Sequence, residues 1–289
     1  MRFTLEKNRR VVTLIELFKV IKGLNNFCKM YCKEDELFIQ IMDDSHISLL
    51  EIKIKKEWFS SYESNGEVVS FNSKVLTTIM GLHKLDSITT FETSEEYLYI
   101  SFQQKDKIEK TFQIVLIDLD SDLMESQQID PSLEFSIGVR KLDQYFNELQ
   151  SFGDTLELVH VNDTIYMRSQ GDEGKYTLKI TDDLLDELIV EEELQMVCKV
   201  TLKQTSLVTK LYSVFKRINV SASEDAPFTL RILPNEEEEK DLLEIKFFIA
   251  PKVDDEGEFD FSEFETEKVN NSISSEEELD NYENEVMET

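Results

Sequence analysis

The sequence has little of what marks several common protein classes. Its 289 residues include 8 glycines, 4 prolines and 3 cysteines. The cysteines, Cys28, Cys32 and Cys198, are too few and odd in number for a disulfide framework, and they indicate a reducing compartment. Cys28 and Cys32 are four residues apart with no histidine nearby, which favours ordinary packing over a metal site.

Long apolar runs are also missing. The longest runs, such as residues 247–250, are far too short to cross a bilayer. Residues 1–10 are polar and charged, so we expect no signal peptide.

The sequence offers no catalytic motif. It has no glycine-rich phosphate loop, and its three histidines lie far apart outside any zinc-protease spacing. Carboxylate pairs such as Asp43 and Asp44 are expected by chance among 60 acidic residues. The sequence therefore predicts a protein that is not an enzyme and needs neither a metal nor another cofactor.

Acidic residues are abundant. The formal net charge is -29, and charge spread evenly at that level would repel nucleic acid. Hydrophobic residues make up 40% of the chain, which is enough to build real cores. Either nucleic acid is not a partner, or the basic residues are gathered in one place.

Short runs rich in branched and aromatic residues predict many antiparallel strands. The predicted strands are residues 36–42, 47–54, 67–71, 87–91, 97–102, 108–117, 133–139, 155–160, 164–169, 175–180, 194–201, 228–233 and 242–249. Helical spacing appears at residues 11–22, 73–82, 140–150 and 202–216. Two helices fall in each half at similar places, which suggests an internal duplication.

The layout predicts two domains, residues 1–117 and 134–257. A polar, acidic stretch with Pro131 joins them over residues 118–133. Residues 254–289 hold fifteen acids and one lysine, so we expect a disordered acidic tail over residues 258–289.

Positive charge is concentrated on the predicted helices. Four windows, residues 9–22, 72–84, 139–150 and 202–217, together carry +9, which leaves -38 for the rest. Such segregation predicts contact with a polyanion backbone without base readout. The alternative is that these are ordinary solvated faces, and the third window, with no net charge, is the weakest. The candidate DNA-binding residues are Arg9, Arg10, Lys19, Lys22, Lys74, Lys84, Arg140, Lys141, Lys203, Lys210, Lys216 and Arg217.

Five short segments, in the same order, resemble the proliferating cell nuclear antigen family of DNA sliding clamps over most of residues 11–257. They are Ile-Gln-Ile-Met-Asp-Asp-Ser-His-Ile-Ser-Leu at 39–49, the acidic stretch at 117–131, Ser-Phe-Gly-Asp at 151–154, Ser-Glu-Asp-Ala-Pro at 223–227 and Ile-Ala-Pro-Lys-Val at 249–253. The longer acidic extension suggests a divergent or viral relative.

The resemblance implies an α+β DNA-clamp fold and a homotrimeric ring that encircles duplex DNA as a processivity factor in replication and repair. It implies DNA polymerase, a clamp loader and other proteins with short binding motifs as partners, in the nucleus or at a viral replication site. The resemblance also implies that residues 110–116 of one chain pair with residues 175–180 of the next. The alternative is that both segments are interior strands of one sheet. The implied partner pocket comprises Met42, His46, Ile47, Leu49, Ile129, Pro131, Pro227, Phe248 and Ala250.

Several pocket residues have plainer interpretations, as a turn histidine for His46 and as core for Met42, Leu49 and Phe248. Two other functions also stay open. One is a subunit of a checkpoint-type heterotrimeric clamp, and the other is an acidic scaffold that binds basic proteins.

Overall fold

The computed structural model describes residues 1–104, 108–120, 123–124, 130–224, 226–252 and 259–265. The first half contains β1 Arg2–Leu5, α1 Asn8–Leu24, β2 Phe27–Cys32, β3 Glu36–Met42, β4 Ser48–Lys55, β5 Ser61–Glu63, β6 Glu67–Asn72, α2 Ser73–Met80, β7 Ile88–Thr93, β8 Tyr97–Gln103 and β9 Glu109–Val115. The second half contains β10 Leu133–Gly138, α3 Val139–Gln150, β11 Thr155–Val161, β12 Thr164–Gly171, β13 Gly174–Ile180, β14 Leu185–Val190, β15 Met196–Thr201, α4 Leu202–Thr209, β16 Arg217–Ala222, β17 Phe228–Leu233 and β18 Leu243–Ile249, followed by α5 Ser262–Glu265.

The order of elements is the same in both halves. Each half has a strand, a helix, five strands, a second helix and three strands. The strand pairing is also repeated, since the order β5-β1-β7-β8-β9 in the first half corresponds to β14-β10-β16-β17-β18 in the second. The order β4-β3-β2-β6 corresponds in the same way to β13-β12-β11-β15. This layout is what an internal duplication would produce.

The two halves share one sheet. β18 pairs antiparallel with β4, from Leu243 opposite Ile54 to Ile249 opposite Ser48, and this pairing creates a nine-stranded sheet. On its outer face, Glu244 accepts a hydrogen bond from Lys246 and lies 3.5 Å from the Lys53 ammonium. Burial would raise the pKa of Glu244, but these cations outweigh it and lower the pKa. The junction is therefore held by backbone pairing and by charge.

The helices form a single layer against the inner faces of the sheets. α1 packs beside α2, α3 packs beside α4, and α1 also contacts α4 across the boundary between the halves. Alternate strand residues such as Leu50, Phe247 and Leu158 point towards these helices and are fully buried. One hydrophobic cluster extends through both halves, so the two predicted domains share their core.

Five strands, β1, β2, β5, β14 and β16, were not predicted from the sequence. β2 alternates buried Cys28, Met30 and Cys32 with half-buried polar and aromatic residues, a weak version of the strand pattern. β14 has no buried residue, so no alternation could reveal it. Helix α1 is longer than predicted at both ends.

The prediction of one helix over residues 202–216 was wrong in its second half. α4 ends at Thr209, and a 3-10 turn, Lys210–Ser213, follows. The Asn235 side chain then accepts from the Lys216 N–H at 2.8 Å and donates to the Val214 carbonyl at 2.7 Å. This long-range amide provides partners for the backbone where the helix has already ended.

The acidic tail departs from its prediction at its beginning. Residues 259–265, expected to be disordered, pack on the four-stranded sheet, and Phe264 is buried there. The remainder of the predicted tail, residue 258 and residues 266–289, lies outside the described residues. Among the described residues, no helix is long and apolar enough to cross a membrane.

Candidate nucleic-acid interface and partner pocket

Most of the predicted DNA-binding side chains are exposed. They are Arg9, Lys19, Lys22, Lys74, Lys84, Arg140, Lys141, Lys203, Lys210, Lys216 and Arg217. Lys19 pairs with Glu16 at 2.7 Å and Arg9 with Glu236 at 2.6 Å. Exposed ion pairs of this kind are weak, so they leave the cations able to exchange their partner for a phosphate.

Arg10 is the exception among the predicted DNA-binding residues. Its side chain is only 12% exposed, pairs with Glu239 at 3.2 Å and donates to the Trp58 carbonyl. The guanidinium also lies 5.4 Å from the centroid of the Trp58 ring. Arg10 therefore fastens α1 to the β17–β18 connection, and we remove it from the candidate DNA contacts.

The structure brings basic residues of both halves together at the centre of the helix layer. Lys19 and Lys22 of α1 and Lys210, just after α4, line one groove of about 400 Å³. The helices approach closely because α1 has Gly23 at the contact with Leu207. The positive residues of α1 and α4 thus form one surface across the boundary between the halves.

The exposed surface of the third helix presents more positive charge than the net charge of the helix suggests. Its two acids are half-buried and engaged, because Asp143 accepts from the Thr209 hydroxyl at 2.7 Å and Glu148 from the Tyr176 hydroxyl at 3.0 Å. Arg140 and Lys141 remain exposed. The cations of α3 are therefore presented while its carboxylates are used in packing.

Lys216 and Arg217 fall outside the helices. Arg217 begins β16 and pairs with Asp186 at 3.1 Å. Both line a shallow cleft that also contains Arg140 and Asp183. Their positive charge is partly offset there, so we rank them below the cations of α1 and α4.

A second site lies on the outer face of the nine-stranded sheet. It is a cavity of about 470 Å³. Its lining residues are Asn25, Phe27, Lys29, Tyr31, Gln40, Ile41, Met42, Asp43, Asp44, His46, Leu49, Leu119, Asp120 and Met124. An apolar floor with a polar rim is suited to a short peptide with hydrophobic anchors.

The structure brings together part of the predicted partner pocket. Met42, His46 and Leu49 line the cavity. Phe248 pairs with Leu49 across β18 and β4, so it continues the same outer face, and Ala250 donates to the Ile47 carbonyl at 2.8 Å beside it. These three neighbours do not line the cavity itself.

Pro131 and Pro227 are also absent from the cavity lining, and Ile129 lies outside the described residues. Sequence reasoning missed Tyr31, Gln40 and Met124, which do line it. Only the alternation of β2 and β3 could have pointed to Tyr31 and Gln40.

The turn between β3 and β4 shapes one wall of the cavity. Asp43 accepts from the backbone N–H groups of Ile47 at 2.9 Å and Ser48 at 2.6 Å, and from the Ser45 hydroxyl. Burial would raise the pKa of Asp43, but these hydrogen bonds outweigh it and lower the pKa to about 2. His46 adopts a left-handed conformation with φ of 59° in this turn, and it also lines the cavity.

Two described parts of the segment that joins the halves, residues 118–120 and 123–124, contact this face. Gln40 donates from its amide to the Met124 carbonyl at 2.7 Å and accepts from the Met124 N–H at 2.8 Å. Lys29 donates to the Leu119 carbonyl at 2.9 Å. These side chains hold Leu119 and Met124 against the sheet, and both residues line the cavity.

The three cysteines are buried and have no sign of reactivity. Burial raises the pKa of Cys32 to about 12 and that of Cys198 to about 11, and it also raises the pKa of Cys28. Thiols with such pKa values are protonated and poorly nucleophilic near neutral pH. Within the described ranges, no group of three or more His, Cys, Asp and Glu side chains could hold a metal ion.

Known proteins agree with this architecture. The model of the proliferating cell nuclear antigen N-terminal domain matches residues 6–123. The chain is therefore similar to the proliferating cell nuclear antigen family over this region.

Family members resemble the chain along most of its length. A "Probable DNA polymerase sliding clamp 2" of Paramecium bursaria Chlorella virus 1 is 26% identical over 250 residues, which cover 85% of this chain and 89% of the relative. The proliferating cell nuclear antigen of Saccharomyces cerevisiae is 24% identical over 84% of this chain and 94% of its own length. The "Proliferating cell nuclear antigen 2" of Plasmodium falciparum is 22% identical over 83% of this chain and 95% of its own length.

Proposed function

We propose that this chain is a member of the proliferating cell nuclear antigen family and acts as a DNA polymerase sliding clamp, a ring of three chains around duplex DNA. The observation that carries the proposal is the single helix layer, which gathers exposed cations from both halves. Such a surface attracts phosphates without reading bases, which lets a ring slide. The clamp has no chemistry of its own, and it acts by keeping a bound polymerase near its template.

The repeated sheet layout supports ring closure. Inside the chain, the edge strand β18 of the second half pairs with β4 of the first. Their counterparts by duplication, β9 and β13, are edge strands of the five-stranded and four-stranded sheets. An exposed edge is a template for pairing with another chain. Pairing β9 of one chain with β13 of the next repeats the internal junction and closes a ring.

The cavity beneath the joining segment supports the partner assignment. Its apolar floor, with Met42, Leu49 and Tyr31, and the adjoining Phe248 fit short peptides with aliphatic and aromatic anchors. We assign it to the polymerase, the clamp loader and other replication and repair proteins.

Retention on DNA tests the function. The mass in solution is measured first, and the protein is then loaded by a clamp loader on nicked circular DNA, which is afterwards linearised. We expect a trimer that is retained on circles and lost on linearisation. If the protein is a monomer and linearisation does not change its retention, the clamp function is contradicted and an acidic scaffold is favoured. If the chain forms a trimer only with other subunits, it is a subunit of a heterotrimeric clamp.

Charge reversal tests the DNA surface. The double variant Lys22→Glu/Lys210→Glu should reduce the magnitude of the slope of log affinity against log salt by about two for each chain of the ring that contacts DNA, because each chain loses two phosphate contacts. The matched control is Arg231→Glu, an exposed residue on the outward face of β17. Equal effects of the two changes would refute the assignment of the helix layer to DNA.

A further inference from the structure

A short aromatic segment covers the outer face of the four-stranded sheet. Phe264 of α5 is 7% exposed, and its ring centroid lies 4.9 Å from that of Tyr166 on β12. Val159 and Val161 of β11 complete this cluster, and Phe259 and Phe261 pack against it. The cluster is separate from the main core, because it lies on the opposite face of β11 and β12.

An arginine is enclosed at the centre of the contact. The Arg168 guanidinium lies 5.0 Å from the Phe259 ring centroid and 5.1 Å from that of Phe264, so it contacts both rings. It pairs with Glu157 of the sheet and, at 2.9 Å, with Glu263 of the segment. A planar guanidinium can stack flat on an aromatic ring while its edge pairs with carboxylates, whereas a lysine ammonium acts only as a point charge.

Two lysines of the sheet make further contacts with the segment. Lys175 at the start of β13 contacts Glu263 at 2.7 Å, and the Lys199 ammonium lies 5.4 Å from the Phe259 ring centroid. The sheet face therefore presents apolar and basic groups, and the segment presents aromatic and acidic ones. This complementarity defines the chemistry that the face selects.

Side chains attach the segment to the sheet. The hydrogen bonds of its backbone N–H groups are local, from Phe264 to the Phe261 carbonyl at 2.9 Å and from Ser262 to the Asp260 carboxylate at 2.9 Å. Anchoring by a few aromatic side chains is how a peptide binds a surface site. The segment follows residues 253–258, a tether short enough to give an effective concentration on the order of millimolar.

We propose that the outer face around Tyr166, Arg168 and Lys199 is a second peptide-docking site, which takes acidic peptides with phenylalanine anchors from partner proteins. Residues 259–265 are its resident occupant, and a partner peptide must displace them. The site is distinct from the cavity beneath the joining segment. It gives the clamp a masked surface whose availability depends on its own C-terminal segment.

A labelled peptide with the sequence of residues 258–266 provides the probe, with fluorescence anisotropy as the measurement on the full chain. We expect Phe259→Ala/Phe264→Ala, which releases the resident segment, to bind it at least about tenfold more tightly than the wild type, because the tethered competitor is gone. A probe with both phenylalanines replaced by alanine should bind neither protein. Adding Arg168→Lys, which keeps the charge but loses the stacking, should weaken binding by the released variant.

Two controls keep the test decisive. Thermal denaturation of the released variant should stay cooperative, with a midpoint lowered only by the lost docking contribution, and loader-dependent DNA retention should be unchanged, since the cluster is separate from the core. Glu263→Lys, at an exposed position, releases the segment without removing an apolar side chain and should strengthen probe binding severalfold. Equal binding by wild type and both released variants, or no binding by any, would overturn the proposal. A change of oligomer mass on release would instead assign the segment to a neighbouring chain and overturn the resident arrangement.

Discussion

Gly23 of α1 lies directly against Leu207 of α4, and a Cβ atom at position 23 would lie 3.0 Å from the Leu207 Cδ2 atom. This contact joins helices of the two halves, and the basic groove lies beside it. The absence of a side chain at one residue therefore sets how closely the positive surfaces approach each other.

Enlarging residue 23 tests this contact. We expect Gly23→Ala to change the free energy of unfolding by less than about 1 kcal/mol, because gained helix propensity offsets a small shift of the flexible Leu207 end. Gly23→Phe should cost about 1–3 kcal/mol, since it forces α4 away from α1. Urea denaturation measures both, and a phenylalanine variant as stable as the wild type would show that the helices are not in close contact.

The duplication also predicts the register between chains. In the duplication, the β8–β9 pair Leu98 and Ile114 corresponds to the β17–β18 pair Phe228 and Ile249. In the same way, the β12–β13 pair Met167 and Leu178 corresponds to the β3–β4 pair Ile39 and Ile52. Because Ile52 faces Ile245 at the internal junction, Leu178 should face Lys110 of the next chain. Thr111 and Thr177, both exposed, should then lie opposite each other.

A cysteine pair tests this register. Under oxidation, Thr111→Cys/Thr177→Cys should form an interchain disulfide, because directly opposite Cα atoms are about 4.5–5.5 Å apart, within disulfide range. A non-reducing gel should show a covalent ladder that either single variant lacks. Gln113→Cys/Thr177→Cys, shifted by two residues, is the matched control. Equal cross-linking by the shifted pair would exclude the predicted register.

Local patterns predicted most of the elements whose two faces differ, although β1, β2 and β16 also alternate and were missed. β9 alternates between exposed and more buried residues, and the sequence showed that alternation plainly. β14 is an edge strand exposed on both faces, so its composition has no period to detect. The limit is physical, since hydrophobic periodicity records burial on one face and not strand formation itself.

Sites that depend on distant partners could not be predicted from one stretch of sequence. Arg10 has the charge and helix position of a DNA contact, yet Glu239, its partner, is 229 residues away. The two acidic residues of α3 cancel its positive charge in the sequence, but in the structure their carboxylates accept hydrogen bonds from the distant hydroxyls of Thr209 and Tyr176. Met42, His46 and Leu49, which line the cavity, were proposed from a family resemblance carried by one strand–turn–strand unit.

Acid should weaken the turn that shapes the cavity. The pKa of Asp43 is lowered to about 2 in the folded chain, against an ordinary value of about 3.9. Its stabilising contribution is therefore complete above about pH 4 and lost as the pH falls towards about 2. Asp43→Asn should be less stable than the wild type at pH 7 by about 1–3 kcal/mol, with a smaller difference at pH 3.

Urea denaturation at the two pH values measures this difference. Asp44→Asn, an exposed neighbour, is the control and should change little. A difference between Asp43→Asn and the wild type that stays constant with pH would mean that the carboxylate charge does not hold the turn.

The Gln40 amide should control the wall of the cavity. It makes both hydrogen bonds to the backbone of Met124, whose side chain is 51% exposed. Gln40→Ala removes both bonds, each with a net contribution of about 1 kcal/mol, so the Met124 amide should exchange its hydrogen about thirtyfold faster. Hydrogen exchange resolved at Met124 is the measurement, and Gln103→Ala, at an exposed glutamine of β8, is the control. Unchanged exchange at Met124 would mean that other contacts hold the joining segment, and Gln40 would then be only a lining residue.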